Sequence, residues 1–98
     1  QNKIKDMRVI IAELAENSTI NILPDMYNDW SLHGYYGRYK NISLDPDLNR
    51  KHEYLLIKNS LYNDTIKNGF VKVELKTNEF ELFKRSLQDT ISQKKQIP

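Results

Sequence analysis

Residues Trp30–Leu44 read WSLHGYYGRYKNISL, and the way this stretch folds decides what kind of domain the chain makes. It holds the only Trp, one of the two His, two of the three Gly and three of the six Tyr. Gly34 and Gly37 bracket Tyr35 and Tyr36, and Gly in or beside a strand often marks a bulge or a close backbone approach. From Arg38 the pattern alternates. Lys40, Ile42 and Leu44 fall on one side and Tyr39, Asn41 and Ser43 on the other, which predicts a strand.

Towards the N-terminus, Asp25–Leu32 reads as a loop with Asn28, Asp29 and Ser31 as turn formers. Before it, Thr19–Leu23 is a short strand with Ile20 and Ile22 on one face, closed by Pro24. Asn2–Glu16 reads as a helix, because Ile4, Met7, Ile11 and Leu14 recur at helical spacing and Ile10 and Ala15 widen the stripe. The β-branched run Val9-Ile10-Ile11 supports a competing strand over Arg8–Leu14.

Towards the C-terminus, Asp45-Pro46-Asp47 carries the features of a helix start: a capping carboxylate, Pro at the first helical position and an acid near the positive end of the dipole. A helix is predicted from Asp45 towards Lys67, with Leu48, Leu55, Tyr62 and Ile66 as its stripe. Tyr54, Ile57 and Leu61 form a second apolar side. Asn68-Gly69 reads as its left-handed stop. Phe70–Lys76 alternates as a strand. Asn78 with Glu81 resembles a capping box that opens a last helix along Phe80, Phe83, Leu87 and Ile91, and residues 93–98 form a frayed tail.

The resulting expectation is one small α+β domain over residues 1–98, in the order αββαβα. A three-stranded antiparallel or mixed sheet is packed by about three amphipathic helices. A chain of 98 residues is one domain by length. Its hydrophobic content of 39% recurs at regular spacing, which separates it from disordered chains. The net charge of +2 is too mild to identify a polyanion partner by itself. With no Cys, disulfides, thiolate chemistry and Cys-ligated zinc are excluded, and a cytoplasmic setting fits. No apolar run reaches the roughly 18 residues that a membrane span needs, so no membrane partner is expected. The first residue is Gln, and nothing about targeting follows from it.

Five chemistries compete for the informative residues. Trp30, His33, Tyr35, Tyr36, Arg38, Tyr39 and Lys40 form an aromatic and basic set. Such a set suits a protein interface, where Trp, Tyr and Arg dominate hot spots. It also suits nucleic acid, since bases stack on aromatic rings and Arg pairs with phosphate. Gly34-Tyr35-Tyr36-Gly37-Arg38 does not fit the RRM pattern. Glu74-Leu75-Lys76 would be the acid–x–Lys half of a metal-dependent nuclease, with Asp25 or Asp45 as the missing carboxylate. His33 and His52 could serve a metal-free ribonuclease. Finally, the layout of a helix, a hairpin with Gly34-Tyr35, and a helix bearing His52-Glu53 is loosely similar to the start of the ImmA/IrrE-type metallopeptidases. That family's second zinc-binding His would stand where this chain has Leu56, so the resemblance implies at most a metal-free relative.

The sequence therefore favours a non-enzymatic interaction module. Trp30, Tyr35, Tyr36 and Tyr39 are expected as apolar anchors, and Arg38 and Lys40 as charge-pairing groups. The expected partner is another protein or a second copy of the chain, with nucleic acid as the alternative. No cofactor and no metal are expected.

Overall fold

The computed structural model describes residues 2–61 and 68–86. Among them are two α-helices, α1 (Asn2–Ala12) and α2 (Trp30–Lys40). Five strands follow the order β1 (Thr19–Ile22), β2 (Ser43–Asp45), β3 (Tyr54–Lys58), β4 (Phe70–Lys72) and β5 (Phe80–Arg85). They form one mixed sheet in the spatial order β2-β1-β3-β5-β4. β1 pairs in parallel with β2 and β3, while β5 is antiparallel to β3 and β4. The α+β class holds. The strand and helix counts of three each become five and two among the described residues.

α1 forms where its apolar spacing places it and buries Met7, Ile10 and Ile11, with Leu14 buried just past its end, whereas Ile4 of the expected stripe is exposed. The competing strand over Arg8–Leu14 is not formed. The helix ends early, at Ala12, and its last turn tightens through Glu13 N–H to Ile10 C=O and Leu14 N–H to Ile11 C=O. Asn17 then takes a left-handed φ of 64°, which Asn tolerates, and turns the chain into β1.

The largest correction falls on Trp30–Leu44. Trp30–Lys40 is a helix, where a loop up to Leu32 and a strand from Arg38 are expected, and the strand is confined to Ser43–Asp45. Asp29 caps α2 by accepting the Ser31 N–H. Asn41, at φ 54°, supplies the left-handed C-terminal residue, and Ile42 N–H closes back onto Tyr36 C=O. Leu32 and Tyr36, four residues apart, are the buried stripe. Two caps and one apolar pair outweigh the low helix propensity of Gly34 and Gly37.

Three further expectations are overturned. Asp45-Pro46-Asp47 ends a strand instead of opening a helix, and Tyr54–Lys58 is strand β3. Leu55, Leu56 and Ile57 are all buried because β3 lies at the centre of the sheet with both faces covered. A short apolar run of this kind cannot be told from a buried helix by spacing alone. The segment opening the predicted last helix is β5, where Phe80 and Leu82 share one face and Phe83 points to the other. β4 stops at Lys72, short of the predicted strand end at Lys76. Residues 62–67 of the predicted central helix, the continuation past Leu87 and the tail 93–98 lie outside the described residues.

Two parallel crossovers organise the sheet. β1 leads through α2 to β2 on one side, and β2 leads through residues 46–53 to β3 on the other. Right-handed crossovers running in opposite directions lie on opposite faces. Hence α2 covers the Ile20 and Ile22 face, and residues 46–53 cross the face to which Asn21 points. That is why β1 is buried on both sides and carries a polar residue between two isoleucines.

α1 is locked to β5 by a single side chain. The fully buried Asp6 carboxylate accepts backbone N–H groups from Asn78, Glu79 and Phe80 at 2.6–3.0 Å. Charge-assisted bonds of this kind are short and strong. One turn earlier on α1, Lys3 reaches Asp29 at 2.6 Å and so ties the starts of the two helices together.

Candidate functional site

The aromatic and basic set lies almost wholly on α2, and the helix distributes it round its circumference. Trp30, Gly34, Gly37 and Arg38 occupy the turn positions opposite the buried stripe of Leu32 and Tyr36. Trp30 is 78% exposed. Its ring lies against that of His33, tilted at 5.8 Å. His33 in turn lies edge-on to Tyr27 at 4.8 Å, and its Nε2 is 2.6 Å from the Tyr27 carbonyl.

Tyr35, Tyr39 and Lys40 lie on the flank facing α1. The rings of Tyr35 and Tyr39 approach to 4.6 Å, and the Arg8 guanidinium donates to the Tyr35 hydroxyl at 3.3 Å. Lys40 Nζ donates to the carbonyls of Ile11 and Leu14, both at 2.8 Å, and so satisfies the negative end of α1. Arg38 is exposed. The structure therefore brings Trp30 and Arg38 to one face and Tyr35, Tyr39 and Lys40 to another.

Tyr36 belongs to neither face. It is fully buried in the core, where burial and the nearby Asp6 charge push its phenol well above the ordinary range. Its hydroxyl has no hydrogen-bond partner among the described residues. Tyr36 cannot act as a surface anchor, because a partner could reach it only by unfolding α2 from the sheet.

The acid–base candidates are occupied with holding the fold. Asp45 accepts from Arg50 Nε at 2.9 Å and Arg50 Nη2 at 3.1 Å, lies 2.8 Å from His52 Nε2, and accepts the Asp47 N–H at 2.9 Å. Hydrogen bonds from Arg50, then His52, outweigh the opposing effect of burial. They hold the Asp45 carboxyl far below its usual range. Asn21 completes the cluster. Its Nδ2 donates to the carbonyls of Asp45, Asp47 and Arg50, and its Oδ1 accepts the His52 N–H. These contacts pin residues 45–52 against β1. No single residue in the sequence announces this hub. The nearest signal is a lone Asn inside the apolar run Ile20-Asn21-Ile22.

The remaining sequence candidates are separated. His33 and His52 belong to different hydrogen-bond systems. Glu74 and Lys76 are exposed and follow the end of β4, so they do not share a strand face. His52 precedes β3 and is not on a helix. Among the described residues no three His, Asp or Glu side chains converge to hold a metal ion, and no helix is long and apolar enough to cross a membrane.

The chain matches no protein-family model. Comparison with curated proteins and with solved structures likewise finds no match. The reading of the site therefore rests on its own geometry.

Proposed function

We propose that the chain is a non-enzymatic protein-interaction module whose contact surface is the solvent face of α2. One observation carries the reading: a Trp that is 78% exposed stands beside two helical glycines whose added Cβ would meet nothing within 4 Å.

Each part of that observation is costly for an isolated domain. Glycine in a helix interior destabilises it by roughly 0.5–1 kcal/mol relative to Ala. Neither Gly34 nor Gly37 has a positive φ, and neither makes room for a neighbouring part of the chain among the described residues. An exposed Trp leaves roughly 3–5 kcal/mol of hydrophobic stabilisation unrealised, from an aromatic area of roughly 150–250 Å². A partner that lays its backbone or a flat side chain over the bare helix and covers the indole accounts for both. Arg38, on the same face, supplies a charged contact, and Trp with Arg is the pairing that interface hot spots favour.

The test is quantitative capture with the intact chain and with a Trp30→Ala/Arg38→Glu variant. Both positions are exposed, so the variant is expected to fold. Proteins recovered by the wild type are expected to be lost from the variant. Equal recovery by a folded variant refutes the assignment. Association of the chain with itself is the other outcome in favour, read by sedimentation of both proteins at matched concentration.

A further inference from the structure

Between α1 and α2 lies an open groove of about 370 Å³, lined by Arg8, Ile11, Ala12, Tyr35, Tyr39 and Lys40. We infer that this groove receives an acidic amphipathic helix of a protein partner. The inference builds on the reading of the chain as a protein-binding module and adds the chemistry of what it binds. It uses the flank of α2, not the Trp30 face.

The lining sets the apolar half of the ligand. Ile11, Ala12 and the two tyrosine rings make the floor and walls, and the volume is more than twice the roughly 150 Å³ that admits one benzene-sized group. The groove thus has room for more than one aliphatic side chain. The Tyr35 and Tyr39 rings lie against each other at 4.6 Å. Their faces are therefore not spread to sandwich a base, which disfavours single-stranded nucleic acid.

The rim sets the charged half. Arg8 and Lys40 line the groove, and among the described residues no carboxylate does. The described partners of both cations are neutral: Arg8 donates to the Tyr35 phenol, and Lys40 to two backbone carbonyls. Lys5 stands one helical turn before Arg8 on α1 and is exposed. An apolar trough with cations along its edges is complementary to a helix bearing aliphatic residues at i, i+3 or i+4, and i+7, with Asp or Glu beside them.

The experiment is selection from a random peptide display library on the immobilised intact protein at moderate salt. Binding of the enriched peptides is then measured to wild type, Ala12→Trp, Arg8→Glu and Trp30→Ala. Ala12 and Arg8 are exposed, so filling the groove or reversing its rim is expected to leave the fold intact. The expected result is enrichment of acidic amphipathic sequences. Their affinity is expected to fall by at least about tenfold in Ala12→Trp and Arg8→Glu, as for loss of a hot-spot contact, and to hold in Trp30→Ala. Loss in Trp30→Ala alone would support the solvent face as the binding site and overturn the groove. No enrichment, enrichment of non-acidic sequences, or equal binding to all four proteins would also overturn it. An oligo-dT strand or a phosphatidylserine vesicle that binds wild type but not Arg8→Glu would reassign the groove and overturn the peptide.

Discussion

The Asn21 side chain accepts the His52 N–H at 3.0 Å while donating to the Arg50 carbonyl at 2.9 Å. One amide thus holds both ends of the turn that precedes β3. Its other contacts, to the Asp45 and Asp47 carbonyls, extend the hold to the end of β2. Replacing Asn21 by Ala would strand several backbone groups at a buried position. A loss of about 2–4 kcal/mol is expected in urea unfolding. Asn21→Asp should cost at least as much, because a carboxylate has no N–H to offer three carbonyls.

The Asp45 cluster makes stability depend on pH in one direction. Hydrogen bonds from Arg50 and His52 depress the folded-state pKa of Asp45 far below its ordinary value of 3.8. A depressed carboxylate contributes stability that is present above the unfolded pKa and is lost as pH falls through the folded one. Its contribution should therefore be complete at neutral pH and begin to fall only as pH drops below about 4. Asp45→Asn should reduce that acid-side dependence. Unfolding midpoints of both proteins, measured from neutral pH down to strongly acidic conditions, check this.

Tyr36 offers a test with the opposite sign. A buried hydroxyl without a partner opposes folding. Tyr36→Phe should therefore be neutral or stabilising by about 1 kcal/mol, whereas Tyr36→Ala should cost about 3–5 kcal/mol by leaving a cavity under α2. Thermal and urea unfolding of the two variants distinguish a core ring from a surface anchor.

Legibility in the sequence followed the physical origin of each element. α1 was readable because its stripe is long and one-sided, and β1 because Ile20 and Ile22 alternate within a run closed by Pro24. α2 was not, since Gly34, Gly37 and the tyrosines suggest extended backbone, while the evidence for helix sits in its caps, Asp29 and Asn41. β3 and β5 were misread for a different reason. Leu55-Leu56-Ile57 is buried on both faces, and Phe80 with Phe83 happens to repeat at helical spacing although the two rings point to opposite faces of the sheet. Asp45-Pro46-Asp47 fooled the reading because the same carboxylate chemistry that caps a helix also closes a turn. Most residues of the aromatic and basic set proved to be at least partly accessible, but membership of a short stretch could not show that Tyr36 faces inward. The Asn21 hub depends on contacts between residues about 25–30 positions apart, which no local pattern contains.

The glycines separate stability from binding. Gly34→Ala and Gly37→Ala add a Cβ into open space on a helix. Each should stabilise the isolated chain by roughly 0.5–1 kcal/mol. If a partner approaches the α2 backbone closely, the same substitutions should weaken capture. Calorimetric unfolding and capture measured on one set of variants give both readings. A more stable double variant that captures equally well would show that the bare helix is not used.

The most direct measurement uses Trp30, the single indole of the chain, as its own reporter. Acrylamide quenching of its emission is compared for the isolated protein, for the complex with a captured protein, and for the protein titrated with single-stranded RNA and DNA at low and moderate salt. Free Trp30 should be readily quenched, the protein complex should shift its emission to the blue and shield it, and nucleic acid should produce no saturable change. A Trp30 that stays equally quenchable in the protein complex, or a saturable, salt-sensitive response to RNA or DNA, would contradict the assignment of the α2 solvent face to a protein partner.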